Sequence, residues 1–244
     1  MIKINILKTV LVVLTTLSVS SFAQTEVKLN KSLKKYAATV TTEFDKISEE
    51  RKKVLVELAT FILENKTKTN KAVLTFICTS NSRRSHIAQL WMQTASIYYG
   101  IDSLTTFSGG TEATEVNIRA VNALKRAGFS ITRPASALNS PYMVNAGVGL
   151  DNWVIYSKKY DNFQNPKANF IAVMVCSDAD KSCPVVSGAN GRIGLPYEDP
   201  KYYDNTPSEQ QKYDETCRLI ARELFFVCDY VKTKLILKTE AAKN

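Results

Sequence analysis

The chain predicts an α/β protein, a three-layer sandwich with a central parallel sheet preceded by a helical extension. Three observations carry this. From residue 72 onward, short β-branched runs alternate with helical periodicities, the pattern of a parallel sheet covered by helices. The run NFIAVMVCS (169–177) is apolar at nearly every position, as a strand buried on both faces requires. The 244 residues, 45% hydrophobic and 23% charged, suffice for one large domain with a sizeable core.

In chain order, residues 1–23 (MIKINILKTVLVVLTTLSVSSFA) carry two lysines and no acid, then an apolar stretch ending in small residues. That is the layout of a secretory signal peptide cleaved near Ala23, which places the mature chain outside the cytoplasm, in the periplasm. The strongly apolar part is shorter than the roughly 20 residues a membrane span needs, so no stable membrane anchor is expected. Cleavage removes Lys3 and Lys8 and lowers the net charge from +9 to +7. A positive balance suits an anionic ligand, but the basic residues are scattered, which argues against a dedicated nucleic-acid binder. All five cysteines (78, 176, 183, 217 and 228) lie in the mature part. An odd number argues against a purely structural disulfide framework.

Residues 24–71 read as the helical extension. Leu33, Tyr36, Ala37, Val40 and Phe44 fall at helical spacing. A second helix starts at Ser48, an N-cap followed by Glu49 and Glu50, and carries Val54, Leu55, Leu58, Phe61 and Ile62. The polar ENKTKTNK (64–71) reads as a linker. The main domain then spans 72–235: a strand at 72–77, a helix at 86–99 closed by Gly100, a strand at 104–108, and a helix from about 116 to 127 with Gly128 as its cap. Residues 135–168, rich in Pro, Asn, Gly and Tyr, read as an insertion with a hairpin around 152–157. The strand 169–177 and a short strand near RIGLP follow. A last helix begins at Ser208, with Gln211 completing a capping box, and runs to about 235.

The stretch ICTSNSRRSHIA places Cys78 at the carboxyl end of a strand, where ligands of parallel sheets bind. Five residues separate it from Arg84, and Ser85 opens the next helix. A loop here can curl its N–H groups inward, and the helix N-terminus adds positive potential, so an oxyanion is welcome. The same field favours a thiolate nucleophile without a histidine partner. Arg84 has the fork geometry to grip two oxygens of a tetrahedral anion, and Ser85 can donate to the sulfur. The bland alternative is a core cysteine before a basic loop. His86, the only histidine, reads as a helix-face residue.

CTSNSRRS resembles the phosphate-binding loop of the low-molecular-weight protein tyrosine phosphatases and the thioredoxin-coupled arsenate reductases that share their fold. The usual pattern there is Cys-x-Gly-Asn-x-Cys-Arg-Ser. Cys78, Asn81, Arg84 and Ser85 match it. Ser80 stands in place of the glycine, where a left-handed conformation would cost about 1 kcal/mol. Arg83 stands in place of a cysteine. FSGGTEATEVNIRAVNALKRAGFSI (107–131) is similar to the second βα unit of the family. The resemblance implies that Thr79, Ser80, Asn81, Ser82, Arg83, Arg84 and Ser85 bind the oxyanion around the Cys78 nucleophile. It also implies that Asp199 of the Asp199–Pro200 pair protonates the leaving oxygen.

Cys176 and Cys183 enclose six residues. On their own they read as a structural disulfide or a metal pair, although the spacing exceeds that of a zinc knuckle and no further ligands accompany it. The resemblance implies a relay instead: Cys78 attacks arsenate, Cys176 attacks Cys78, and Cys183 attacks Cys176, leaving a disulfide for an external reductant. Cys217 and Cys228, about three helical turns apart, read as core. Two functions follow from the resemblance. One is arsenate reduction, which needs no cofactor or metal but does need an external thiol donor such as a thioredoxin-like protein. The other is hydrolysis of phosphate monoesters by a protein tyrosine phosphatase through a Cys78 phosphoenzyme, a reading that the neighbouring Tyr202 and Tyr203 support.

Overall fold

A computed structural model describes residues 28–133, 135–183 and 185–241. The signal peptide predicted at 1–23 lies outside the described residues. A two-residue strand β1 (Lys28–Leu29) leads into α1 (Lys31–Thr41), whose cap Asn30 accepts from Leu33 N at 2.9 Å. Phe44 does not extend this helix; it opens a separate 3-10 turn over Phe44–Lys46. Ser48 caps α2 (Glu49–Thr69) as expected, accepting from Arg51 N.

The polar stretch read as a linker is helical as far as Thr69. Asn65 is buried there, donating to Phe61 O and accepting from Asn190 Nδ2, and Lys66 reaches Asp102 O. Tertiary bonds therefore hold two turns that the polar composition alone would not.

Next come β2 (Ala72–Cys78), α3 (Arg84–Tyr98), β3 (Leu104–Gly110) and α4 (Ile118–Ala127). Asn117 caps the start of α4, and Gly128, left-handed at φ 115°, closes it against the backbone of Ser32 and Leu33. Strand β4 (Ser130–Thr132) follows, and the region read as an insertion contributes β5 (Tyr142–Asn145), β6 (Gly147–Val148) and β7 (Trp153–Ile155). In place of a local hairpin, β5 takes the centre of a three-stranded antiparallel sheet between β4 and β7. Strand β6 pairs with β1 instead, which ties the chain before α1 to this region.

The chain then forms β8 (Phe170–Met174), α5 (Ser177–Ser182), β9 (Ala189–Gly194) and α6 (Glu209–Ala241). Strand β8 ends two residues before Cys176, which turns out to cap α5. Helix α6 runs past 235 to Ala241, and the Gln211 amide points forward to Glu215 (2.7 Å) rather than back into a capping box.

The central sheet has the order β3-β2-β8-β9 with all strands parallel. Consecutive residues of β2 and β8, such as Leu74–Ile77 and Phe170–Met174, are at most 1% exposed, so both faces are covered and three layers result. Each fully buried Leu, Ile or Phe contributes about 1.5–3 kcal/mol. Helix α6 packs on α2, α3 and α4 and also touches α1, so the N-terminal helices share the main core. Among the described residues no helix is long and apolar enough to cross a membrane.

Candidate active site

The strands of the central sheet end on one side of the molecule, with Cys78 last in β2, Cys176 just past β8 and Asp199 after β9. Between Cys78 and α3 the chain turns through Thr79–Arg83, and every carbonyl from Cys78 to Ser82 is held by a partner elsewhere. Cys78 O accepts from Thr111 N (3.1 Å), Thr79 O from Glu112 N (2.9 Å) and Ser82 O from Asn117 N (2.9 Å). Ser80 O accepts from Ser157 Oγ and Thr114 Oγ1 (3.0 Å each), and Asn81 O from His86 Nε2 (2.8 Å). None of the N–H groups of Thr79–Arg83 donates to a protein acceptor among the described residues. With the carbonyls engaged outward, unpaired N–H groups and the N-terminus of α3 are left for an anion, as in a phosphate cradle.

Asn81 sits at the centre of this arrangement. It is fully buried, and at φ 42° it is the left-handed residue of the turn; Ser80 is not, so the strain expected at Ser80 does not arise. Asparagine tolerates that region better than serine. Its Oδ1 accepts from Lys158 N (2.9 Å), and its Nδ2 donates to Ser85 Oγ (2.8 Å). Ser85 Oγ, so supplied, lies 3.1 Å from Cys78 Sγ with its own proton free to donate to the sulfur. A Cβ on Gly110 would lie 2.6 Å from Thr79 O and 2.8 Å from Asn81 N, so the close approach of β3 to the turn requires glycine there.

His86 is fully buried rather than a helix-face residue. Burial pushes its ring pKa down to about 3, the nearby Lys158 charge adding to the effect, so the ring is neutral. A neutral ring that donates from Nε2 to Asn81 O leaves Nδ1 to accept from Ser108 Oγ at 3.1 Å.

Arg84 is buried and forked: Nη2 donates to Asp199 Oδ2 (2.7 Å) and Nη1 to Tyr197 O (2.8 Å). The other Asp199 oxygen accepts from Lys201 N. The loop before Asp199 is anchored from α2, where Arg51 donates to Pro196 O and pairs with Glu223 of α6 at 2.8 Å. Arg83 turns aside to Tyr213 Oη (2.9 Å), with Asp204 and Asp199 3.6 and 3.9 Å away. Its charge is thus shared among side chains around the mouth.

A cavity of about 190 Å³ opens over the turn, lined by Cys78, Thr79, Ser80, Ser82, Arg83, Arg84 and Asp199 together with Glu112, Asp178 and Lys201. Asn81 and Ser85 lie behind it. Cys176 is fully buried, its Sγ 3.4 Å from Thr79 Oγ1, and it caps α5 by accepting from Ala179 N. Cys183 is at the other end of α5, partly exposed. The six helical residues between them set the two cysteines roughly 10 Å apart, beyond disulfide reach while α5 is wound. All five cysteines are free thiols. Cys217 and Cys228 are core, as expected: Trp91 donates to Cys217 Sγ, and burial pushes the Cys217 thiol up to about 12 and the Cys228 thiol higher still.

Sequence reasoning singled out the turn itself and missed what holds it. Ser157, Lys158 and Arg51 carry no local motif, and Glu112 and Asp178 came into view only as cavity wall. The acid pair just after the two glycines (Glu112, Glu115) was the one available signal, since Glu112 accepts from Ser80 Oγ at 2.7 Å.

A buried cysteine at the base of an N–H-lined cradle, an arginine fork and a carboxylate facing it, all at the carboxyl end of a parallel sheet, define a thiol-based enzyme of oxyanions. No family profile matches the chain. It is 30% identical over 131 residues to arsenate reductase 2 of Staphylococcus epidermidis, covering 54% of this chain and 80% of that one. The arsenate reductase of Brevibacillus brevis is 31% identical over 131 residues, with 54% and 78% covered. Among solved structures, a low-molecular-weight phosphotyrosine phosphatase of Vibrio cholerae aligns with TM-score 0.43 and 13% identity, over 65% of this chain and 95% of that one. An arsenate reductase in the phosphate-binding state aligns with TM-score 0.40 and 16% identity, over 67% and 98%. The chain belongs to the family of these arsenate reductases, and it is an enzyme. A small oxyanion or phosphate ester suits such a site.

Proposed function

We propose that the protein reduces arsenate to arsenite through Cys78, Cys176 and Cys183. The observation that carries this is Cys176, a buried thiol set against the cradle through Thr79 Oγ1. Hydrolysis of a phosphate ester has no use for it.

In this reading the N–H groups of Thr79–Arg83 and the Arg84 fork hold arsenate, competing with Asp199 for the guanidinium. The Cys78 thiolate attacks arsenic. An As–O bond breaks, and Asp199 supplies the proton that lets the oxygen leave as water. Ser85 and Asn81 orient the sulfur. The Cys176 thiolate then attacks Cys78 Sγ. A sulfur–sulfur bond forms, and the electron pair of the S–As bond passes to arsenic, which leaves as arsenite; two thiols have supplied two electrons. Attack of Cys183 on Cys176 returns Cys78 as a thiolate, and it requires α5 to unwind because its two ends are out of bonding range. An external dithiol protein of the thioredoxin type reduces the 176–183 pair.

The test counts free thiols over time after arsenate is added to reduced protein, with Cys176→Ser run beside it. Arsenate-dependent loss of two thiols in the wild type and not in the variant is the expected result. No loss in either would refute the relay.

A second reading is favoured by the exposed Tyr202 and Tyr203 just after Asp199–Pro200, which offer a rim for an aryl ester. Steady hydrolysis of an aryl phosphate, unchanged in Cys176→Ser and without arsenate-dependent thiol loss, would make the protein a phosphatase. Export rests on residues 1–23 alone; N-terminal sequencing of the mature protein should begin at Gln24.

A further inference from the structure

A second cavity, about 350 Å³, lies between α3, β3 and the segment that follows β7, and shares no lining residue with the active-site cavity. Its volume falls in the range of small-molecule sites. Leu90, Phe107, Trp153 and Val154 give it an apolar wall. Lys158 also lines the cavity, and its backbone N–H holds Asn81.

Two polar groups there stand out. Lys158 is 6% exposed, and among the described residues its ammonium has neither a carboxylate nor a hydrogen-bond acceptor; it rests 4.8 Å from the Tyr156 ring centroid. An ammonium carries three donors, and one aromatic face does not replace an anion. Gln89 is 8% exposed, and its Oε1 is unbonded. A charge on a nearly buried residue with no counter-ion is poorly compensated, and an anion delivered from solvent would pair it. Burial lowers the lysine pKa to about 8, which leaves it mostly protonated at neutral pH.

We propose that this cavity binds a small aromatic monocarboxylate, its carboxylate on Lys158 and its ring against Trp153 and Phe107. The single cation sets the charge of the ligand. Asp151, also in the lining, opposes a dianion such as phosphate, whereas one carboxylate is balanced by one ammonium. The aromatic wall gives a ring more contact than a short aliphatic acid would gain.

Trp153 provides the readout. The chain has two tryptophans, and Trp91 is fully buried with its indole N–H on Cys217. In the full-length ¹⁵N-labelled protein, benzoate should shift the Trp153 indole resonance saturably and leave Trp91 in place. Benzamide, the neutral isostere, should bind at least tenfold more weakly, which corresponds to about 1.4 kcal/mol. Lys158→Met should weaken benzoate by at least the same factor. Val154→Trp, at a strand position 45% exposed, should block the cavity without touching the lysine and guards against a folding defect in the first variant. No saturable shift with benzoate, equal binding of benzamide, a response to inorganic phosphate in place of benzoate, or unchanged binding in Val154→Trp would each overturn the proposal.

Discussion

Replacing Asn81 by alanine tests the cradle at its centre. The substitution removes the donor to Ser85 Oγ and the acceptor for Lys158 N, both in fully buried surroundings. The orphaned Lys158 N–H costs about 1–3 kcal/mol, and the lost bond to Ser85 about 1 kcal/mol more. Alanine at φ 42° adds about 1 kcal/mol of backbone strain. The loss of stability should therefore come to about 4 kcal/mol, read as a shift in the urea midpoint at constant slope. Asn81→Gly relieves the backbone component alone and should recover about 1 kcal/mol of it. Asn81→Asp keeps the acceptor for Lys158 but loses the donor to Ser85 and buries a carboxylate, so it should be no more stable than alanine at neutral pH and should bind phosphate poorly beside the new charge. Phosphate affinity, measured calorimetrically, should fall at least tenfold in all three. An alanine variant within 1 kcal/mol of wild type, or a glycine variant no better than alanine, would refute the view that Asn81 locks the turn.

Three further outcomes follow from the same contacts. Arg51→Met leaves Glu223, 3% exposed, without its counter-ion and should cost about 3–5 kcal/mol; Arg51→Met with Glu223→Leu should restore most of it, and a single variant as stable as wild type would contradict the pairing. Because His86 stays neutral down to about pH 3 when folded, the unfolded chain binds its proton first. Stability should thus be full above about pH 6.5 and decline as pH falls below it. Unfolding midpoints between pH 4.5 and 6.5 should flatten in His86→Gln, and an unchanged slope would point to another group. Gly110→Ala forces a methyl against Thr79 O and Asn81 N and should weaken phosphate binding with little change in secondary structure by circular dichroism; unaltered binding would show that β3 can move away.

Much of this was readable in the sequence where the physics is local. Gly128 closes α4, Ser48 caps α2, and the apolar run before Cys78 forms a buried central strand, because caps and periodicities act within a few residues. The turn from Cys78 to Ser85 was legible for the same reason. What stayed hidden depends on partners far along the chain. The two polar turns after Glu64 are helical because Asn65 meets Asn190. The left-handed residue is Asn81 and not Ser80, a choice made by Lys158 and His86 from outside the turn. The stretch 135–168 reads as turn-rich filler in composition, yet Ser157 and Lys158 grip two consecutive residues of the cradle.

That grip has a consequence for the order of assembly. The groups that shape Thr79–Arg84 come from residues 111–117, from 157–158, from 197–199 and from Tyr213. A nascent chain emerges from its N-terminal end, so strand β2 and its cysteine wait, unsupported, until nearly the whole sequence has been made. Contacts of such long sequence separation close late in folding. The reactive sulfur therefore spends the early life of each molecule as an ordinary thiol on an open chain, and whatever oxidant surrounds the chain at that stage meets it before its cradle exists.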